Sequence, residues 1–304
     1  MRVFVTGASG FVGRSILARL AADGHEVRAL VRPGSAGALL RATRTEAVEG
    51  DVVGPSDLAA ASKGCDAVVH LVGILRPQGT NTFDAVHVGG TRNVIDACYS
   101  SGARRFIYVS ALGAGRGTPT PYFVTKEAAE ARLRTSGLDW TILRPSVIHG
   151  PHGGFMVLMA RMVARFGPVP LVGRGDQIVQ PIWVEDVANL CAEALKRNAT
   201  IGQTYDVAGP DVLTMKVFYK TLSRLLLGKA KRCLPVPRGL VRMGARVAAR
   251  LMANPPVTPD ELTMLLAARP CDTRPMAEAF GFEPAPFEPT LARYAEELKA
   301  AAGI

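Results

Sequence analysis

The sequence is short of most features that mark membrane, secreted or metal-binding chains. No apolar run approaches the roughly 18 residues a bilayer span needs. The five cysteines (Cys65, Cys98, Cys191, Cys233, Cys271) are scattered with no C-x-x-C pair, which excludes a zinc ribbon and suits a reducing compartment. The histidines show no H-E-x-x-H or comparable spacing, so no metal is expected. With an apolar strand expected from Val3, no leader is expected and the expected location is cytoplasmic. Acidic residues are missing from one long window. Between Val212 and Pro259 there are ten lysines and arginines and no Asp or Glu. Outside that window bases and acids balance at 26 each, so the whole formal excess of +10 is local. A chain neutral elsewhere, with no aromatic-interleaved platform accompanying the charge, is not built for nucleic acid.

What is present begins at Val3-Phe4-Val5-Thr6-Gly7-Ala8-Ser9-Gly10-Phe11-Val12-Gly13. An apolar strand, glycines spaced G-x-x-G-x-x-G and a helix with Ile16, Leu17 and Leu20 on one face follow in that order. Glycines let the backbone turn tightly and approach a pyrophosphate, which then meets the free N–H groups and positive dipole end of the helix. This predicts a dinucleotide cradle.

Strand and helix patterns alternate to about Pro145. Strands are expected at Val3–Val5, Glu26–Leu30, Ala47–Glu49, Ala67–Leu71, Arg105–Ser110 and Trp140–Leu143, with helices at Val12–Ala22, Pro55–Lys63, Phe83–Ser100 and Tyr122–Thr135. Gly24, Gly64, Gly102 and Gly137 suit left-handed helix ends. The expected fold is α/β, a doubly wound parallel sheet of Rossmann type. After Gly150, Gly, Pro and Met become frequent. A helix is expected at Phe155–Phe166, a strand at Gln177–Trp183, a helix at Glu185–Lys196 and a strand at Gln203–Val207, followed by basic helices. The domain expectation is a dinucleotide-binding domain over 1–150, with elements returning near 177–208, and a smaller, mostly helical, discontinuous lobe over 151–304.

The second strand distinguishes the coenzymes. A dinucleotide without a 2′-phosphate is held by an acid about 20 residues past the glycines. Here Arg28-Ala29-Leu30-Val31-Arg32-Pro33 has none, and Arg32 stands where a guanidinium would pair with a 2′-phosphate. NADP(H) is therefore preferred, with NAD(H) as the other coenzyme to consider. The alternative for Arg32 is a solvated surface arginine, and Arg28 on the same strand face is a candidate for that role. Asp51, followed by Val52, could accept from the adenine amino group or simply shape its turn. Leu71-Val72-Gly73 lets backbone pass close to the coenzyme ribose. Tyr122 and Lys126 stand four apart on one helix face. An ammonium beside a phenol lowers the phenol's pKa from about 10 and prepares it as an acid or base. Ser110 could hold the substrate oxygen.

These stretches, with Leu143-Arg144-Pro145-Ser146-Val147-Ile148-His149-Gly150-Pro151, resemble the extended and atypical short-chain dehydrogenases/reductases, related to the NAD-dependent epimerases and dehydratases. Further likeness lies in His70-Leu71-Val72-Gly73-Ile74-Leu75, Ser110-Ala111-Leu112-Gly113-Ala114 and Gln180-Pro181-Ile182-Trp183-Val184-Glu185-Asp186-Val187-Ala188. Gly209-Pro210 and Leu234-Pro235-Val236-Pro237 continue it, toward the nucleotide-binding accessory subunit of respiratory complex I and its bacterial relatives. The resemblance implies catalysis by Tyr122, Lys126 and Ser110. It implies coenzyme contacts from Thr6, Gly7, Ser9, Gly10, Phe11, Val12, Gly13, Arg32, Asp51, Val52, Leu71, Val72, Gly73, Lys126, Pro145 and Val147. Sugar-nucleotide epimerases usually carry Asn where His87 stands, and again in place of Pro145-Ser146, which argues against that chemistry.

Three functions follow: an oxidoreductase acting on an apolar carbonyl, alcohol or quinone-like substrate, a non-catalytic subunit of a membrane respiratory complex, and a nucleotide-sugar epimerase. An apolar substrate is expected because Phe155, Met156, Leu158, Met159 and Met162 crowd the lobe. Arg238, Arg242, Arg246 and Arg250 are spaced four apart, flanked by Leu240, Val241, Val247, Ala248 and Leu251. Two readings stand for this stretch, a core helix with a solvated face or a helix that lies on an anionic membrane. The second would let residues 216–252 meet a membrane, at its inner face, or a membrane complex.

Overall fold

The β-branched and aromatic runs form the strands they predict. The structure, a computed structural model, describes residues 1–33, 45–54, 56–252 and 255–304. The first half runs β1 (Arg2–Thr6), α1 (Phe11–Ala22), β2 (Glu26–Val31), β3 (Glu46–Glu49), α2 (Leu58–Ser62), β4 (Ala67–His70), α3 (Gly90–Ser101), β5 (Arg105–Val109), β6 (Leu112–Gly115), α4 (Pro121–Arg134) and β7 (Asp139–Pro145). The second half begins β8 (Ile148–His149), α5 (Gly154–Arg165), β9 (Val169–Val172), β10 (Ile178–Val179), β11 (Ile182–Trp183), α6 (Val184–Lys196) and β12 (Gln203–Val207). It ends β13 (Leu213–Thr214), α7 (Met215–Leu227), β14 (Cys233–Val236), α8 (Arg238–Leu251), α9 (Pro259–Ala267), α10 (Arg274–Phe280), α11 (Phe287–Arg293) and α12 (Ala295–Ala302).

The chain divides into two units. The first comprises Met1–Pro145, Val184–Val207 and Arg274–Phe282. Its seven strands are ordered β12-β7-β5-β4-β1-β2-β3, and every pairing is parallel. Thr6, at the end of β1, lies opposite both Leu30 and His70. Strand order reverses there, the point at which open α/β sheets bind ligands. The inner strands are apolar on both faces, with Val3, Phe4, Val5, Val68, Val69 and Ile107 fully buried, as a sheet covered by helices requires. One face carries α1 and α6, tied by Ser15 to Glu185 at 3.0 Å and Arg19 to Asn189 at 2.8 Å. On the other, α2, α3 and α4 share a core with Phe4, Phe106, Tyr108 and Ile142.

A buried cation knits the far edge of this unit. Arg105 donates to the carbonyls of Asp139 and Ala194 and to the hydroxyls of Thr141 and Thr200. Desolvation pulls its guanidinium down to about 10. Helix α10 belongs to this unit too: Phe280 is buried edge-to-face on Tyr205 of β12, with ring centroids 5.1 Å apart.

Several expectations need correction. Of the helix expected over Pro55–Lys63, Leu58–Ser62 forms, capped by Asp57, which accepts from the Ala60 N–H, while Pro55 lies outside the described residues. The helix expected from Phe83 instead starts as a π-helical stretch, Asp84–Gly89, that runs into α3. Gly24, Gly64, Gly102 and Gly137 all have positive φ, as their helix-end positions predict.

The second unit comprises Ser146–Trp183, Ala208–Thr273 and Glu283–Ile304. It is mostly helical, with three strand pairs: β8 with β11 and β9 with β14 in parallel, β10 with β13 antiparallel. The single strand expected over Gln177–Trp183 is split at Gln180-Pro181, because proline cannot donate to a ladder. Met156 and Met159 of α5 are buried with Phe218, Tyr219 and Phe287, and Phe155, Leu158 and Met162 pack on the same cluster. Tyr219 donates its hydroxyl to Met159 Sδ at 3.2 Å. These apolar side chains build the unit's own core, so they do not by themselves define an apolar substrate site. Helix α8 overturns the core-helix reading, since Ala245 is its one buried residue. Among the described residues no helix is long and apolar enough to cross a membrane.

Candidate active site at the β1–β4 edge

The first unit carries the cradle. Gly7 has φ +76°, and a β-carbon there would lie 3.1 Å from the Val72 nitrogen and 3.2 Å from the Leu71 carbonyl carbon. Gly13 is packed harder, with a β-carbon 2.4 Å from the Gly7 oxygen and 2.5 Å from the Ala8 oxygen. Gly10 is the N-cap of α1, with extended backbone and no side chain bonded to the first-turn N–H groups. Those donors and the dipole end are what a pyrophosphate needs. Ser9, Phe11 and Val12 around them are partly exposed, whereas Thr6 is buried, its hydroxyl in a hydrogen bond with His70 Nδ1 at 2.6 Å. The glycine packing and the uncapped helix start fit a dinucleotide.

Arg32 follows β2 and is exposed, with no carboxylate partner among the described residues. Arg28 behaves differently from the solvated residue considered for it. It pairs with Glu46 at 2.9 Å and donates to the carbonyls of Ala61 and Lys63. Asp51 closes its own turn: Oδ1 accepts from the Val53 N–H at 3.0 Å, and its N–H donates to Ser56 Oγ at 2.7 Å. Val52 is buried, its carbonyl held by Asn93 Nδ2 at 2.8 Å. Pro145 ends β7 in the first unit. Val147 falls in the second, where it packs on the core.

Helix α4 starts where Thr120 caps it and Pro121 occupies the first turn, a pairing that pre-sets a helix. That start places Tyr122 and Lys126 on the face toward the β4 edge. Lys126 is buried, and its ammonium donates to the Val109 carbonyl at 3.3 Å. A β-carbon at Gly73 would lie 2.9 Å from that ammonium and 3.5 Å from His87 Nε2. The segment Leu71-Val72-Gly73 thus touches the cradle through Gly7 and the lysine through Gly73. Tyr122 is partly exposed, ringed by Phe83, His87 and Phe123 in edge-on contacts of 5.3 to 6.1 Å.

Two expectations about this group change. Burial pushes the Tyr122 phenol up to about 12 and the Lys126 ammonium down to about 8. The phenol is therefore not depressed by its neighbour, because desolvation dominates both groups. Ser110 donates its hydroxyl to Glu130 Oε1 at 2.6 Å, so that proton is committed and cannot also serve a carbonyl oxygen. Glu130 is fully buried and bound by Arg144 at 2.5 and 2.9 Å and by Arg134 at 2.7 Å. Burial pushes its carboxyl up, but the bonds from Arg144 and Ser110 outweigh this and hold it below the ordinary value. Removing one partner of a buried ion pair typically costs about 3–5 kcal/mol. Glu130→Gln should lower the unfolding free energy by about 3 kcal/mol, read from the shift in urea midpoint.

His87 is the residue the motifs did not single out as a site. Its Nε2 accepts from the Ile74 N–H at 3.1 Å and its Nδ1 meets Thr125 Oγ1 at 2.9 Å. That assigns the neutral tautomer with the proton on Nδ1. The π-helical stretch that carries it marks the residue in the structure, since such irregularities recur at functional sites. Desolvation, helped by the Lys126 charge, lowers both His70 and His87 to about 3. An unfolded histidine takes its proton near 6.5, so between pH 6.5 and 3 the unfolded chain binds more protons. Stability should fall as pH drops through that window, by at most about 1.4 kcal/mol per pH unit for each histidine. Denaturation at pH 7 and pH 5 checks this, and His87→Asn should flatten the slope.

A glycine cradle at the strand-order reversal and a tyrosine–lysine pair one strand further on define a dinucleotide-binding protein of the short-chain dehydrogenase/reductase type. The NAD(P)H-binding family profile matches residues 7–198, and the chain belongs to that family. It is 32% identical to a ceramide reductase of Caulobacter vibrioides, over 61% of this chain and 58% of that protein. It is 33% identical to NADH dehydrogenase [ubiquinone] 1 alpha subcomplex subunit 9, mitochondrial, of Arabidopsis thaliana, over 69% of this chain and 54% of that protein. The matches thus span little more than half of each relative's length. A solved UDP-glucuronic acid 4-epimerase from Bacillus cereus, in complex with UDP-glucuronic acid and NAD, superposes with a TM-score of 0.74 over 99% of each chain. At 19% identity it shares the fold.

Proposed function

We propose that this protein is an NADP(H)-dependent reductase acting on an apolar ketone, with Tyr122 as the proton donor. The observation that carries the reading is the Leu71-Val72-Gly73 segment, against which the cradle glycine and the Lys126 ammonium both pack. Gly7, Gly10 and Gly13 would hold the pyrophosphate and Arg32 the 2′-phosphate. Reduced nicotinamide, when bound, supplies a hydride. A phenol with its pKa raised to about 12 is fully protonated at neutral pH, the state needed to give a proton to a carbonyl oxygen turning into an alcohol. Lys126 stabilises the phenolate left behind and binds the ribose. With the Ser110 proton committed to Glu130, Ser110 acts as a positioning residue and Tyr122 is the donor to the substrate oxygen.

An apolar ketone is favoured by the relative named for ceramide, a lipid. The test is NADPH consumption against a panel of long-chain ketones and quinones, with turnover expected on at least one. A second reading, a non-catalytic subunit of a membrane complex, is favoured by the relative named as a subunit of NADH dehydrogenase [ubiquinone]. It predicts tight coenzyme retention with no consumption on any member of the panel. A third reading, a nucleotide-sugar epimerase, is favoured by a Bacillus subtilis relative named as a sugar epimerase, 35% identical over 54% of this chain, and it would need nucleotide sugars to raise the melting temperature.

A further inference from the structure

Helix α8 is built unlike the other long helices of the molecule. Of its 14 residues Ala245 alone is buried. Leu240, Met243, Val247 and Leu251 are 55%, 57%, 49% and 80% exposed. They stand at i, i+3, i+7 and i+11, one continuous apolar edge at helical spacing. Met252, the next residue, is half exposed as well. Four large apolar side chains in a row on a surface mark an interaction site rather than ordinary surface scatter.

The charge beside this edge is of one sign. Arg238 pairs with Asp176 at 3.0 Å. Arg242, Arg246 and Arg250 have no carboxylate partner among the described residues, and no Asp or Glu occurs from Val212 to Pro259. At about 100° per residue, Arg246 and Arg250 lie within about 60° of the Met243 position. Their long stems can run along the apolar edge while the guanidiniums reach outward. Asp260 and Glu261 open the next helix, α9, and Glu261 is held in the capping box of Thr258. No aromatic residue lies on α8, so nothing there stacks a base.

We propose that α8 is a membrane-interface helix that lies in the plane of an anionic bilayer. Leu240, Met243, Val247 and Leu251 enter the boundary between headgroups and acyl chains, and Arg242, Arg246 and Arg250 contact lipid phosphates. An apolar edge flanked by arginines, in a segment too short and too charged to span, is the pattern such helices share. A protein groove would accept the apolar edge but give no reason for three unpaired arginines beside it. This proposal does not depend on the reductase reading. If both hold, α8 would keep the enzyme at the phase in which an apolar ketone dissolves.

The test uses the full chain and extruded vesicles of pure phosphatidylcholine or of phosphatidylcholine with 30% phosphatidylglycerol. Co-sedimentation with the anionic vesicles should exceed that with neutral ones at least tenfold at low salt and fall at 300 mM salt. Arg242→Glu/Arg246→Glu/Arg250→Glu and, separately, Leu240→Ser/Leu251→Ser should each reduce binding at least tenfold, with coenzyme binding intact. A single Val247→Trp variant guards against misfolding of the multiple variants. Its emission should shift to the blue with anionic vesicles alone. Equal binding to both vesicle types, no binding to the anionic ones, or adsorption without a tryptophan shift would each overturn the proposal. Capture of the anionic vesicles by the triple-glutamate variant would do so as well.

Discussion

Gly13→Val is expected to weaken coenzyme binding at least 100-fold and to lower the melting temperature. The reason is local. The β-carbon itself, before any rotamer is chosen, would sit 2.4 Å from one backbone oxygen and 2.5 Å from another. No side-chain rearrangement relieves contact with backbone, so the Gly7–Ala8 loop must lift off the start of α1. That lift misaligns the donors that would meet the pyrophosphate. Overpacking of this kind costs about 1–3 kcal/mol in stability. Gly244→Ala in α8 is the matched control. Nothing lies within 4 Å of its β-carbon, so alanine should leave coenzyme binding unchanged and raise stability by up to about 1 kcal/mol. Coenzyme fluorescence titration and thermal melting of the two variants separate the effects.

Tyr122→Phe should lower kcat by about 10²–10⁴-fold on whichever ketone is turned over, with coenzyme affinity nearly unchanged. The phenylalanine keeps the edge-on contacts with Phe83, His87 and Phe123, so the loss would report the hydroxyl alone. Lys126 should behave differently. Lys126→Met should reduce both kcat and coenzyme affinity, because the ammonium that rests on the Val109 carbonyl would serve ribose and phenolate together. Its pKa, lowered to about 8 by burial, also sets a pH limb. Activity should decline as pH rises through about 8 and the ammonium loses its proton. Lys126→Arg, charged throughout that range, should lack this limb. An unchanged rate in Tyr122→Phe would remove the tyrosine from the chemistry.

The parts of this site that share one local segment were readable from sequence. Thr6–Gly13 is a continuous strand, turn and helix, and Tyr122 and Lys126 are one helical turn apart, so spacing alone places them. Arg32 was readable as the missing acid at the end of β2. The rest depends on which strands become neighbours. Glu130 meets Arg134 within its own helix, but its bonds to Arg144 and Ser110 exist because β5 and β7 pair in parallel. His87 reaches Ile74 and Thr125 only because the chain adopts a π-helical stretch ahead of α3, which no periodicity announces. In the second unit the apolar residues of α5 and α8 look alike in sequence. Burial separates them: the first set builds a core, and the second stays in solvent.

Coenzyme selectivity tests the central claim most directly. NADPH and NADH should be titrated into the unaltered protein and into Arg32→Ala. The account predicts that NADPH binds more tightly than NADH, and that Arg32→Ala loses at least tenfold in NADPH affinity while NADH is unaffected. If neither nucleotide binds the unaltered protein, or the arginine variant loses both equally, the cradle and its 2′-phosphate contact are contradicted.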